Sequence, residues 1–95
     1  MKLHNTRALY KFIIKNQTAK KSIENWKAFV DNADWTRPEN IKQDFPKTRF
    51  VSKYRMVFKL GDKWRIDVKI DYPHQKVQIM RIGTHEEYNK WKYED

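Results

Sequence analysis

The chain has 95 residues, no cysteine and no apolar run near the length of a membrane span, which excludes disulfides, thiolate metal sites and a transmembrane helix. Twenty-one Lys and Arg face twelve Asp and Glu for a net charge of +9, with 15% aromatic residues, a balance that points to a polyanionic partner, nucleic acid first. The basic residues are spread along the chain rather than gathered on one amphipathic helix, which argues against a membrane as that partner.

The length and the lack of repeats, linkers or low-complexity tracts fit one domain over residues 1–95. The opening "MKLHNTRALY" has no long apolar stretch of the secretion-signal kind, so a cytoplasmic location is expected. Residues 2–4 are a candidate edge strand. Leu9, Phe12 and Ile13 then follow helical spacing after a cap at Asn5 or Thr6. "NQT" at 16–18 separates them from a second helix, roughly residues 18–33, whose apolar stripe is Ala19, Ile23, Trp26, Phe29, Val30 and Ala33. "TRPE" at 36–39 has the capping-box pattern with Pro38 in the first turn, predicting a short third helix towards Phe45 that Pro46 ends.

The period then changes from helical to two. Tyr54, Met56, Phe58 and Leu60 face one way, and Arg55 and Lys59 the other. "GD" at 61–62 puts glycine first in a two-residue hairpin loop. In "KWRIDVKID" Trp64, Ile66, Val68 and Ile70 point inward, and Lys63, Arg65, Asp67, Lys69 and Asp71 outward. "YPHQ" at 72–75 turns the chain into a third strand that runs to Gly83. The expected fold is α+β: an N-terminal helical hairpin and a short helix on one face of an antiparallel sheet, then a short C-terminal helix. The opposite face would carry Arg55, Lys59, Lys63, Arg65 and Lys69 as a positive surface for a phosphate backbone. The plain alternative is a solvated face on which Asp67 and Asp71 pair with the lysines.

"GTHEEYNKW" at 83–91 starts that last helix. Thr84 and Glu87 form a capping box, and Gly83 permits a sharp turn out of the strand. His85 becomes the first helical residue and Tyr88 the fourth, on a shared face.

Three segments in order, "ADWTRPENIKQDF" (33–45), "FKLGDKWRIDVKIDY" (58–72) and "IGTHEEYNK" (82–90), resemble the HigB-type toxins of bacterial toxin–antitoxin pairs, which belong to the wider RelE-like fold. The family's glycine turn followed by "YRL" appears as Gly61 to Ile66, and its "GTHAEYDK" ending as Gly83 to Lys90 with Glu86 and Asn89 as substitutions. The resemblance implies an endoribonuclease that cuts mRNA, commonly on the ribosome. It also implies silencing by a HigA-like antitoxin, and contact with DNA only through the antitoxin complex. The strand arginine and the tyrosine of such active sites match Arg65 and Tyr88, and His85 falls in the family's Thr-His pair. Relatives often carry the basic residue of the last strand one position before Arg81, where this chain has Met80. A one-residue shift reverses the face, so Arg81 is expected to point away from the site and ranks low as an RNA contact.

Such toxins direct the ribose 2′-hydroxyl at the adjacent phosphorus, which calls for a base, cations on the phosphoryl oxygens and an acid for the departing 5′-oxygen. No metal or other cofactor is needed, and His4, His74 and His85 are scattered with no carboxylate cluster at ligand spacing. Arg65 can give two parallel hydrogen bonds to phosphate. At a helix start the dipole favours a neutral His85, a candidate base, although Glu86 and Glu87 oppose this. Tyr88, at a reference pKa of about 10, suits an acid or a stacking surface better than a base. Lys53, Arg55 and Lys59, with Lys63, Lys69 and Arg81, complete the expected RNA contacts. Trp26, Trp35 and Trp64 read as core, and Trp91 as either packing or an RNA-stacking platform. Taken singly, His85 suits an exposed first-turn residue, Tyr88 a packing residue and Arg65 a surface ion pair with Asp67 or a neighbouring strand. The competing reading is a non-catalytic, ribosome-associated RNA-binding module; a DNA-binding regulator lacks a recognition-helix pattern.

Overall fold

A computed structural model describes residues 1–93. The elements in order are β1 (Lys2–His4), α1 (Arg7–Lys15), a 3₁₀ turn (Gln17–Ala19), α2 (Lys20–Asn32), α3 (Pro38–Asp44), β2 (Arg49–Phe50), β3 (Arg55–Leu60), β4 (Trp64–Asp71), β5 (Lys76–Thr84) and α4 (His85–Asn89). The strands form one sheet in the order β1-β5-β4-β3-β2. It is mixed rather than antiparallel throughout, because β1 pairs with β5 in parallel. The helices intervene between these two strands, so no hairpin constrains their relative direction.

The helices form where the apolar stripes lie. Leu9 on α1 and Ile23, Trp26 and Val30 on α2 are buried against the sheet. Asn16 ends α1, its backbone and side-chain N–H groups both donating to the Phe12 carbonyl. Asn5 takes a left-handed φ of 66° and donates from Nδ2 to the Ile79 carbonyl at 2.9 Å, tying the entry of α1 to β5. The N-cap of α3 is Arg37, one residue later than Thr36. The cause is Asn40, whose Oδ1 accepts the backbone N–H groups of both Thr36 and Arg37.

Phe58 sits at the centre of the core with none of its surface exposed. It stacks on Trp35 at 5.9 Å and meets the edges of Trp26 and Phe45 at 5.3 and 5.1 Å. On β4, Ile66, Val68 and Ile70 are buried on this face as the alternation requires. Tyr54, expected beside Met56, is instead half exposed in the segment before β3.

Three expectations need correction on the second sheet face. The hairpin loop has three residues, Gly61, Asp62 and Lys63, because Leu60 pairs with Trp64; Gly61 supplies the positive φ of 62°. The face is not an open charged surface: Asp67 is completely buried and Arg65 is only 7% exposed. α4 and the loop close over Arg65, and Arg55 and Arg81 close over Asp67. Finally, Arg81 faces the site side. Asp67 pairs with Arg81 while Val68 pairs with Ile79, so Met80 is an extra residue in a β-bulge. Without the bulge, strict alternation would turn Arg81 towards the helices.

The turn from β5 into α4 is built as expected. Thr84 Oγ1 accepts from the Glu87 N–H at 3.1 Å, and Glu87 Oε1 accepts from the Thr84 N–H at 3.0 Å. Gly83 is required for space: a Cβ there would lie 2.8 Å from Trp91 Cζ2 and 3.1 Å from Glu87 Cβ. Thr84→Ala should therefore cost about 1 kcal/mol through loss of the cap. Gly83→Ala should cost more, about 1–3 kcal/mol, because Trp91 must move. Urea unfolding of both variants checks the order; equal losses would mean that Trp91 is not packed against Gly83.

Candidate active site

Arg65 leaves β4 on the face opposite Ile66 and is gripped at its guanidinium end. Its Nη1 donates to the carbonyls of Gly61, Asp62 and Trp64 at 3.3, 3.3 and 2.9 Å. Its Nη2 lies 3.1 Å from His85 Nδ1. A guanidinium only donates, so Nδ1 is the acceptor and the ring carries its proton on Nε2. The three-residue loop thus aims the arginine, and the Lys63 carbonyl also accepts the His85 backbone N–H at 2.8 Å, docking α4 on the same loop. No carboxylate pairs with Arg65 among the described residues, and Asp67 is engaged elsewhere.

Tyr88 stands one helical turn beyond His85, with ring centroids 6.2 Å apart. The Arg65 guanidinium lies 5.5 Å from its ring centre. Its hydroxyl accepts a hydrogen bond from Arg49 Nη1 at 2.8 Å, a contact that holds the Arg49 guanidinium above its ordinary pKa. Arg49 was not legible as a site residue, because the two-residue strand β2 is too short for an alternation pattern. Only its fold position, at the sheet edge antiparallel to β3, brings it to Tyr88.

A second cluster adjoins the first. Asp67 accepts from Arg55 Nε and Nη2, both at 2.8 Å, and from Arg81 Nε at 2.8 Å. The Asp67 contact holds Arg55 above its ordinary pKa against the cost of burial. Tyr93 joins the clusters: the guanidiniums of Arg49, Arg55 and Arg81 lie 5.5, 5.4 and 5.1 Å from its ring centre. Burial pushes the Tyr93 phenol up, with the Asp67 charge adding to it and Arg81 opposing. Trp91, which the sequence leaves open between packing and an RNA-stacking platform, packs against its neighbours within the protein. It lies 4.6 Å under Arg81 and meets the Tyr88 edge at 5.7 Å. Tyr93 was also missed, and the run of basic and aromatic residues "YNKWKY" was the available signal.

The structure therefore brings Arg65, His85 and Tyr88 together and gathers Arg55 and Arg81 beside them. The lysines are looser. Lys59 pairs with Asp62 at 3.4 Å, and Lys63 is an exposed loop residue. Lys69 is exposed and pairs across the sheet with Arg55. Lys53 lies in the segment before β3 against the Tyr54 ring, at the end of that strand away from the loop that holds Arg65. A hollow of about 400 Å³ beside the centre is lined by Asn16, Asp62, Lys63, Trp64, Thr84, His85 and Glu86. Among the described residues, no three His, Asp or Glu side chains gather as a metal-binding group, and no helix is long and apolar enough to cross a membrane.

No curated protein matches the chain. A family model described as the RelE-like toxic component of a toxin–antitoxin system matches residues 19–91, a span from the end of the 3₁₀ turn to Trp91. It takes in the three-residue loop, Arg65, the bulge and the capped start of α4. With that match over most of its length, the chain belongs to the HigB toxin family.

Proposed function

We propose that this toxin is an endoribonuclease that cuts mRNA, with the strand held on a translating ribosome as its target, and so inhibits translation. The observation that carries the reading is the Arg65–His85 contact beside Tyr88, set in a field of guanidiniums. In the free protein Arg65 spends one N–H on His85 Nδ1. A phosphodiester entering the site competes for that donor, because a charge-assisted bond to phosphate is stronger than one to a neutral ring. Its arrival would release the Nδ1 lone pair, and His85 could then take the proton from the 2′-hydroxyl. The 2′-oxygen attacks the adjacent phosphorus, a 2′,3′-cyclic phosphate forms, and the 5′-oxygen leaves. Arg65 meets the charge that grows on the phosphoryl oxygens. Tyr88, its hydroxyl held by Arg49, is positioned to protonate the leaving oxygen or to stack on the base next to it. The hollow beside His85 leaves room for a nucleotide. As a member of a toxin–antitoxin family the chain has an antitoxin partner; we take it to be HigA-like.

Expressed without an antitoxin, the wild type should arrest growth and leave new mRNA 5′ ends. His85→Ala and Tyr88→Phe should each lower cleavage about 10² to 10⁴-fold while the protein stays folded. Arg65→Lys, which keeps the charge but loses the fork, should be almost as damaging. Mapping of mRNA ends with circular dichroism of each variant checks this, and undiminished cleavage by folded His85→Ala would remove the histidine from the mechanism.

Cleavage should also persist in excess EDTA once monovalent salt is matched, since the proposed groups supply base, acid and cation from the chain itself. With a ribosome-bound message, magnesium must be retained for the ribosome, so the assay uses free RNA or a magnesium series. Complete loss with free RNA, restored by a divalent ion, would replace this mechanism with metal-assisted hydrolysis.

A further inference from the structure

We propose that Asp67 is a positioning residue which holds Arg55 and Arg81 as a two-arginine clamp for an RNA phosphate next to the scissile one. The inference rests on the RNA-cleaving reading above and assigns it a second phosphate site. Asp67 is completely buried at the middle of β4, where its neighbours on the core face are Ile66 and Val68. Burying a carboxylate is expensive, and an apolar residue at such a position is often at least as stable. A buried charge here is therefore poorly explained by stability alone. Its partners are informative. Arg81 is directly opposite on β5, brought there by the bulge at Met80. Arg55 reaches from β3, diagonal in the register, because Asp67 itself pairs with Val57.

The donor count points outward. Arg55 spends Nε and Nη2 on the carboxylate, and Arg81 spends Nε on it and Nη2 on the Lys92 carbonyl at 3.4 Å. Nη1 of both arginines is without a protein acceptor among the described residues. The two side chains remain 29% and 34% exposed. One carboxylate against two guanidiniums leaves one net positive charge, in a pair whose planes are set by Asp67 and by the Tyr93 ring. Fixed guanidinium forks with free terminal N–H groups suit a tetrahedral phosphodiester. Arg49, which touches both Tyr93 and Tyr88, links this pair to the cleavage centre.

The test uses the full chain and a single-stranded 2′-O-methyl RNA oligonucleotide, which binds but cannot be cut because its 2′-oxygen is blocked. Asp67→Asn removes a negative charge, so charge alone predicts tighter binding. Positioning predicts the reverse: affinity should fall about tenfold at low salt, the size of one lost charge-assisted hydrogen bond. The slope of log affinity against log salt should become shallower by about 0.7, one phosphate contact on a single strand. Arg81→Lys and Arg55→Lys keep both the charge and a partner for Asp67, so they serve even if Asp67→Asn does not fold. Each should show a similar loss, and with natural RNA each should raise KM by a larger factor than it lowers kcat. Binding by Asp67→Asn that equals or exceeds wild type at unchanged slope overturns the proposal, as does wild-type binding by both lysine variants. If the wild type binds RNA but these variants do not differ, only the clamp fails. If the wild type binds no RNA at low salt and also leaves no new mRNA 5′ ends on expression, the RNA-cleaving reading fails with it.

Discussion

Burial of Ile66, Val68 and Ile70 against the helices sets the pleat of β4, and that pleat dictates what stands on the other face. Each of these side chains contributes about 1.5–3 kcal/mol when fully buried. A slip of one residue would exchange them for Arg65, Asp67 and Lys69, so the register is strongly specified. The position of the strand arginine is therefore a consequence of core packing. β5 must match the same register, and its apolar residues Val77 and Ile79 do so up to the bulge. Beyond Met80 the phase is reset, which keeps Ile82 opposite Ile66 and puts Arg81 opposite Asp67.

Gathering four guanidiniums on one small face creates a repulsion that the fold offsets in three different ways. Arg65 is neutralised by no carboxylate among the described residues; the carbonyls of Gly61 and Asp62 in the hairpin loop and of Trp64 at the start of β4 hold it instead. Arg55 and Arg81 share Asp67. Arg49 is the most solvated of the four and rests on the rings of Tyr88 and Tyr93. Each device leaves some guanidinium surface free. A site that took full carboxylate partners for every arginine would have no attraction left for a polyanion. One with none would be difficult to fold.

The C-terminal aromatic residues belong to this balance. Tyr88, Trp91 and Tyr93 provide ring faces for the arginines, and Gly83 provides the space that lets Trp91 pack behind α4. The short helix is thus held by its capping box at one end, by the Lys63 carbonyl, and by stacking on charged side chains. Few apolar contacts support it; none of its residues is fully buried. Its rigidity and the order of the arginines depend on one another.

Local sequence determined much of this. The helical stripes of α1 and α2, the alternation of β4, and the Thr84–Glu87 box all depend on residues a few positions apart, which burial and capping act on directly. The trio Arg65, His85 and Tyr88 could be named as candidates only because its residues lie in two short motifs that resemble those of the toxin family. What the tertiary structure decided was who meets whom across the sheet. Arg81 and Asp67 are 14 residues apart, and Arg49 and Tyr88 are 39 apart. Asp67 reads as an outward charge in any short window, yet it is buried because two arginines from flanking strands converge on it. The parallel pairing of β1, the bulge that turns Arg81 round and the recruitment of Arg49 share that cause. Periodicity specifies the face a side chain takes within its own strand, whereas its partner depends on strand order and register, which only packing of the whole chain sets.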